Sequence, residues 1–317
     1  MVNKVAHPLV SVIMPCYNGA AYIEAAILSV LEQSYPNIEL IIVNDGSTDH
    51  SLQVITPYLE QVKCITQENQ GVSCARNHGV AHASGAYIAF LDSDDYWSVD
   101  FVSEMVAAMA DPEVAIAYCG WQNVGKKLGE PFIPANYETD EKLAKLLAFA
   151  CLWPIHGAMI RASMLPPNEP FNPSLRACED YDLWLRIACF HPIRLVPKVL
   201  AFYRHHHSGQ STSDQAMIAR YNLWVKNQFL AENPSIKAAF SASQVKQFCA
   251  GAFMQRGYRC LWQGDLTSAY GIFRYALLHG LLALKDLKYA LPTLLPVSWY
   301  CRLLKGRGLG TAQSATK

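Results

Sequence analysis

The sequence predicts an α/β fold with a mostly parallel central sheet, followed by a helical extension, and three observations carry that expectation. Short runs rich in Val and Ile alternate with helix-period segments through the first hundred residues. The apolar run 87–91 then stops at three carboxylates, Asp92, Asp94 and Asp95, and from about residue 211 the pattern becomes helix after helix. Alternating strands and helices imply parallel strands covered on both faces.

The elements follow in order. Residues 9–14 and 39–43 read as strands, with 63–67 as a third candidate. Between them 22–33, 51–61 and 72–83 read as helices, the second opened by Ser47, Thr48 and Asp49, which suit caps. Residues 87–91 are too few for a buried helix and form the fourth strand. A helix over 99–109, a strand over 114–121, an irregular surface excursion over 125–137 and a strand-like run over 199–202 come next. Helices over 214–233, 243–263 and 266–283 complete the chain, giving a first domain over 1–210 and an extension over 211–317.

Composition narrows the function. Lys and Arg together number 26, as do Asp and Glu, so no net field draws nucleic acid to the whole surface. Ten cysteines, none in a C-x-x-C pair, read as reduced core residues, and with no leader-like N-terminus they predict a cytoplasmic protein. The apolar stretches 276–284 and 290–297 are interrupted by His279, Gly280, Pro292 and Pro296, and neither nears the ~20 apolar residues of a spanning helix. Lys285, Lys288, Arg302, Lys305 and Arg307 lie among Leu, Tyr289, Trp299 and Tyr300. That mixture fits either peripheral contact with an anionic membrane surface or a solvated helix face.

The acidic junction is the main chemical signal. Asp92 and Asp94 emerge at the carboxyl end of a strand, where open α/β sheets bind ligands, and two residues apart they point the same way on extended backbone. Two such charges near ~4 Å repel by about 4 kcal/mol at an effective dielectric of about 20, a cost that a divalent cation removes. Oxygen ligands favour magnesium or manganese over zinc. Alternatively Ser93, Asp94 or Asp95 caps the next helix. Pro15-Cys16-Tyr17-Asn18-Gly19 ends the first strand and Asn44-Asp45-Gly46-Ser47 the second, and neither G-x-G-x-x-G nor G-x-x-x-x-G-K is present. Asp45 either accepts an imide N–H from a base or serves the turn before Ser47, and Tyr17 either stacks on a base or is an ordinary half-buried aromatic.

Five segments in order, 10–18 (VSVIMPCYN), 42–49 (IVNDGSTD), 67–71 (QENQG), 75–79 (ARNHG) and 91–95 (LDSDD), resemble the family 2 glycosyltransferases, over roughly residues 8–210. The resemblance implies the GT-A fold and an inverting reaction with a nucleotide-sugar donor. It implies that Asp45 reads the donor base beside Pro15 and Tyr17. Asp92 and Asp94 match the D-x-D motif, Asp94 being the direct ligand of Mn2+ or Mg2+. Arg76 is a further donor contact or a surface helix arginine.

An attacking acceptor hydroxyl must lose its proton, so a carboxylate base is required. Residues 178–186 (CEDYDLWLR) put carboxylates at the opening of a helix, with Leu183, Trp184 and Ile187 for its apolar face. The helix dipole alone also favours that placement. The resemblance implies Asp180 as the base, with Glu179 as its supporting neighbour and Asp182 structural. In 203–208 (YRHHHS), adjacent histidines cannot all face one ion, and the run reads as an exposed loop. The resemblance points to His206 as completing the metal or diphosphate site. Trp153 and His156 line the acceptor site or pack in the core.

The implied function is transfer of a single sugar, from a UDP-sugar by preference, to a saccharide or lipid-linked acceptor in cell-surface polysaccharide biosynthesis. Thymine presents the same edge as uracil, and guanine offers an N1–H. The alternative is a catalytically inactive sugar-nucleotide binding module, which would be expected to have lost Asp94 or Asp180. A nucleotidyltransferase would instead carry a Gly-rich loop with Arg and Lys after the first strand.

Overall fold

The computed structural model describes residues 7–126, 128–148, 152–206 and 214–306. The chain forms two compact units, one of Met1–Leu146, Cys151–Leu175 and Asp182–Ser208, the other of Leu147–Ala150, Arg176–Tyr181 and Gly209–Lys317.

In the first unit lies an eight-stranded sheet: β1 (Val10–Cys16), β2 (Ile38–Asp45), β3 (Lys63–Gln67), β4 (Tyr87–Phe90), β5 (Tyr96–Trp97), β6 (Ile116–Gly125), β7 (Ala158–Arg161) and β8 (Ile193–His205). Their order is β3-β2-β1-β4-β7-β6-β8-β5. The four on one side run parallel, as does β8 to β6, while β7 opposes β4 and β6, and β5 opposes β8. All seven residues of β1 are buried, because a central parallel strand is covered on both faces. Successive residues serve opposite faces: Val10, Val12 and Met14 join one core cluster with Ile27, Phe101 and Met105, while Ile41 and Val43 of β2 pack with Ala75 in another.

The helices α1 (Ile23–Leu31), α2 (Ser51–Ile55), α3 (Val72–Ala81) and α4 (Phe101–Ala108) fall where the pattern placed them. α2 is shorter than expected and continues as one 3-10 turn, since Pro57 supplies no N–H to an α-helical ladder. α3 approaches the sheet at Gly79, where a Cβ would collide with Ile13 Cγ2. Two further helices are divided between the units: α5 (Lys142–Ala148) ends, and α6 (Glu179–Ala188) begins, in residues of the second.

The strand read at 199–202 proves to be an inner part of the thirteen-residue β8. Pro197 disguised it. The register against β6 jumps from Cys119↔Val196 to Gly120↔Val199, so Pro197 sits in an irregularity where it owes the ladder no N–H.

The described cysteines are free thiols; Cys151 lies outside the described residues. Burial pushes the thiols of Cys119 and Cys189 up to about 12 from the ordinary 9.0, and the Tyr118 phenol also up to about 12. A neutral acid with its pKa raised in the fold binds its proton more tightly there. Its contribution is therefore complete below the unfolded value and is lost as pH rises beyond it. Each such thiol removes about 2 kcal/mol of stability by pH 10.5, at about 1.36 kcal/mol per pH unit above 9. Urea unfolding across pH 8 to 10.5 is expected to show a steep fall, made shallower by Cys119→Ala. A slope unchanged in that variant would refute the assignment.

The second unit is helical: α7 (Gln215–Glu232), α8 (Pro234–Ala238), α9 (Ala242–Lys246), α10 (Ala252–Trp262), α11 (Leu266–Leu278), α12 (Leu287–Ala290) and α13 (Val297–Gly306). The helix read over 243–263 appears as α9 and α10 joined through a π-helical turn, Gln247–Gly251. Asp214, Ser241 and Asp265 cap α7, α9 and α11 by accepting the N–H of Met217, Gln244 and Ser268. Lys226 is fully buried: its Nζ donates to Phe248 O of the π turn (3.0 Å) and lies 5.8 Å from the Tyr181 ring centre. Burial pulls this ammonium down to about 8. Among the described residues no helix is long and apolar enough to cross a membrane.

Candidate active site

Parallel pairing brings the motif segments to one sheet edge. β1 sets Ile13 opposite Phe90 and Cys16 opposite Asn44, and Leu91 N–H donates to Ile13 O (3.0 Å). The chain thus leaves β4 at Asp92 on the edge where β1 ends at Tyr17. Asp95 N–H donates to Asp92 O (3.0 Å), closing a turn that crowds three carboxylates. The capping alternative falls away, because α4 begins beyond them with Asp100 at its N-cap position.

Each carboxylate has its own partner. Asp92 Oδ1 accepts from Arg76 Nη2 (2.7 Å), and the Arg76 guanidinium lies over the Phe171 ring at 5.4 Å. Asp94 Oδ2 stands 2.8 Å from His206 Nε2, and the His206 ring stacks on Tyr22 at 4.9 Å. Asp95, buried, accepts the Arg204 N–H (2.8 Å) on Oδ1, while its Oδ2 lies 3.0 Å from Nδ1 of the buried His156. Arg204 also donates from Nε to Asp94 O (3.0 Å), its guanidinium over Tyr22 and Tyr96. The end of β8 therefore holds the acidic turn through Arg204 and His206.

Burial first, then the like charges of Asp95 and Asp92, push the Asp94 carboxyl up to about 6, against the opposing pull of His206. For His156, burial lowers the imidazole, but Asp95 and then Asp92 and Asp94 outweigh it and leave it above its ordinary value. The set offers a divalent ion a crowded carboxylate oxygen and an imidazole nitrogen side by side. Among the described residues no three His, Cys, Asp or Glu side chains form a ready cage. That suits an ion held by one or two protein ligands and completed by phosphate oxygens.

Asp45 is buried at the end of β2. Its Oδ1 accepts from Gln67 Nε2 (2.8 Å) and Gln70 N (2.9 Å), and its Oδ2 from Gly71 N (2.9 Å). The turn itself is served by Asn44, whose Oδ1 accepts the Ser47 N–H (3.1 Å). An ionised carboxylate has about four acceptor sites, so three bonds leave one on Oδ2. Tyr17 is 53% exposed, and Pro15 is buried in β1.

Several site residues escaped the sequence reading. Asn18 holds a left-handed backbone (φ 53°) and accepts the Thr48 N–H on Oδ1 (2.8 Å), joining the loops after β1 and β2. An Asn two residues past a strand end was the available signal, since Asn tolerates that conformation. Asn77 clamps Phe171, donating to its carbonyl (2.7 Å) and accepting its N–H (2.9 Å). His156 and Trp153 are both buried, His156 against Asp95 and Trp153 stacked on Tyr118 at 4.3 Å, which is the core alternative of their two readings. His207 lies outside the described residues.

Arg76→Met is expected to strand Asp92, a side chain only 28% exposed, and to cost about 3 kcal/mol of stability, as breaking a largely buried pair does. Chemical unfolding at neutral pH measures it; a loss under about 1 kcal/mol would show the pair to behave as a surface one.

Glu179 and Asp180 open α6, and the turn Arg176–Tyr181 belongs to the helical unit. Asp180 Oδ1 accepts the Tyr181 N–H (2.7 Å). Cys178, just before, holds φ 64° and donates from Sγ to Ile218 O (3.6 Å). Asp182 pairs with Arg186 (2.8 Å), which also donates to Pro170 O, while Leu183, Trp184 and Ile187 are buried as the periodicity implies.

The fold matches solved glycosyltransferase structures. Staphylococcus aureus TarS 1–349 in complex with UDP-GlcNAc aligns with a TM-score of 0.63 at 17% identity, over 95% of this chain and 92% of that one. The mannosyltransferase PcManGT from Pyrobaculum calidifontis, in complex with GDP-Man and Mn2+, aligns with a TM-score of 0.57 at 18% identity, over 95% and 87%. The molecule is thus a GT-A type α/β protein with C-terminal helices. In sequence, a glycosyltransferase of Nostoc sp. is 30% identical over 84% of this chain and 88% of its own. The putative teichuronic acid biosynthesis glycosyltransferase TuaG of Bacillus subtilis is 42% identical over 57% and 72%. The profile of glycosyl transferase family 2 matches residues 11–173, and the chain belongs to that family.

Proposed function

We propose that this chain is an inverting, metal-dependent glycosyltransferase. It moves one sugar from a nucleotide diphosphate donor, a UDP-sugar by preference, to a hydroxyl of a saccharide or lipid-linked acceptor in cell-surface polysaccharide biosynthesis. The observation that carries the reading is the acidic turn: Asp92 and Asp95 are held by cationic or N–H groups, while Asp94 is left beside His206. The likeness to TuaG, a putative teichuronic acid biosynthesis glycosyltransferase, supports the acceptor class, and the nucleotide-sugar complexes of TarS and PcManGT support the donor class.

Asp94 and His206 are the residues to hold Mn2+ or Mg2+; bound there, the ion would offset charge growing on the leaving diphosphate. Asp45 reads the base with its remaining acceptor site, Tyr17 stacks on the base, and Pro15 shapes the strand end beneath. Arg76 serves the donor through Asp92. Asp180 takes the acceptor proton, with Glu179 as its neighbour. Residues 1–210 form the transferase domain and 211–317 its extension, acting in the cytoplasm with peripheral membrane contact through the C-terminal region.

Calorimetric titration with UDP, dTDP and GDP, with and without Mn2+, tests the donor half, and the anomeric configuration of the product tests the inverting half. Tight, Mn2+-dependent binding of one nucleotide with transfer and inversion is the expected result. Binding without transfer to any acceptor would favour the inactive sugar-nucleotide module.

A further inference from the structure

The helical unit carries an exposed surface of mixed apolar and basic side chains. Leu278, Leu284, Leu291, Leu294, Trp299 and Leu303 are between 38% and 88% exposed, a density of water-facing apolar side chains that marks an interaction site. From Leu266 to Gly306 the sequence holds one carboxylate side chain, Asp286. It is buried, accepting from Ala283 N (2.7 Å) and Tyr258 OH, so no carboxylate side chain of this stretch faces solvent. Arg274 is turned inward, donating to Thr293 O (2.6 Å). Lys285, Lys288, Arg302 and Lys305 remain exposed.

The arrangement is layered. On α13, Tyr300 and Leu304 are buried four residues apart, so this tyrosine belongs to the core and not to an interface. Trp299, Arg302 and Leu303, three and four apart, form a second strip that stays exposed. Leu291, Leu294 and Leu295 repeat the spacing on the turn before it, and all are exposed. A protein partner is the poorer fit, because protein interfaces are depleted in lysine. Leucine and tryptophan interleaved with Lys and Arg are what a helix lying in the plane of an anionic bilayer requires.

We propose that the surface formed by 284–305 docks the protein in-plane on an anionic lipid bilayer. Docking stands on this surface alone; its use in presenting a lipid-linked acceptor rests on the function proposed above. The test is co-sedimentation of the full chain with vesicles of phosphatidylcholine alone and with phosphatidylglycerol added, at low and high salt. The expected result is binding only to the phosphatidylglycerol vesicles, weakened by salt. Joint Trp299→Ser and Leu303→Ser substitution is expected to lower partitioning at least tenfold, and each of Lys285→Gln, Lys288→Gln and Arg302→Gln about fivefold. Far-ultraviolet circular dichroism and thermal unfolding of the same variants serve as the folding control. Absence of binding, equal binding to both vesicle types, or wild-type binding by the Trp299/Leu303 variant would overturn the proposal. Concentration-dependent dimerisation lost in that variant would overturn it too, giving the face to a second copy. Vesicle binding by a chain that binds no nucleotide would remove the donor reading and leave docking in place.

Discussion

Asp94→Asn is expected to reduce Mn2+-supported UDP binding to its metal-free level, about 10- to 100-fold, and turnover by about 100- to 1,000-fold, equivalent to about 3–4 kcal/mol of transition-state stabilisation. The reasoning is local. Arg76 offsets Asp92, and the Arg204 N–H with His156 holds Asp95, so Asp94 is the carboxylate whose charge remains for an arriving cation. Asparagine keeps the shape and removes that charge. In buffer without metal the sign reverses: a negative group near the diphosphate has gone, so affinity is expected to hold or rise. Isothermal titration in the two buffers separates the cases. An equal loss in both would mean that Asp94 supports the site's structure and holds no ion.

The second large effect is expected at Asp180. Asp180→Asn should lower kcat by about 100- to 10,000-fold, the range for loss of a general base, and leave UDP affinity within about twofold. The acidic limb of the pH–rate profile should disappear with it. Asp182→Asn is the internal control: Asp182 pairs with Arg186, and the same guanidinium holds Pro170 O, so its loss should appear in stability and not in the pH profile. If Asp180→Asn kept wild-type kcat, the base would have to be sought elsewhere.

Much of this was legible from the chain alone because the informative signals are local. A strand that ends in a polar residue announces its end, and five such ends or loops lie in order before residue 96. Relations across distance were not legible. Nothing near Asp95 signals that His156, 61 positions on, lies against it, or that the N–H of Arg204 binds it. Two-residue β5 and four-residue β7 are too short to show a period, and Pro197 broke the one in β8. Asp45 reads from sequence as a turn residue or a base reader; in the structure Asn44 serves the turn, and the bonds from Gln67, Gln70 and Gly71 come from residues more than twenty positions away.

The turn that carries Glu179 and Asp180 lies just beyond the stretch that matches the family and packs with helices much later in the chain, through Cys178 on Ile218 and Tyr181 under Lys226. Inheritance of the two halves is therefore not independent. A lineage can vary the loops of the sheet to take a new donor while the later helices stay as they are. Exchanging those helices for a relative's, by recombination or by an engineer seeking a new acceptor, also replaces the bed on which the Glu179–Asp180 turn rests. Chimeras joined near residue 210 should then bind nucleotide well and turn over poorly until residues 176–181 travel with the helices.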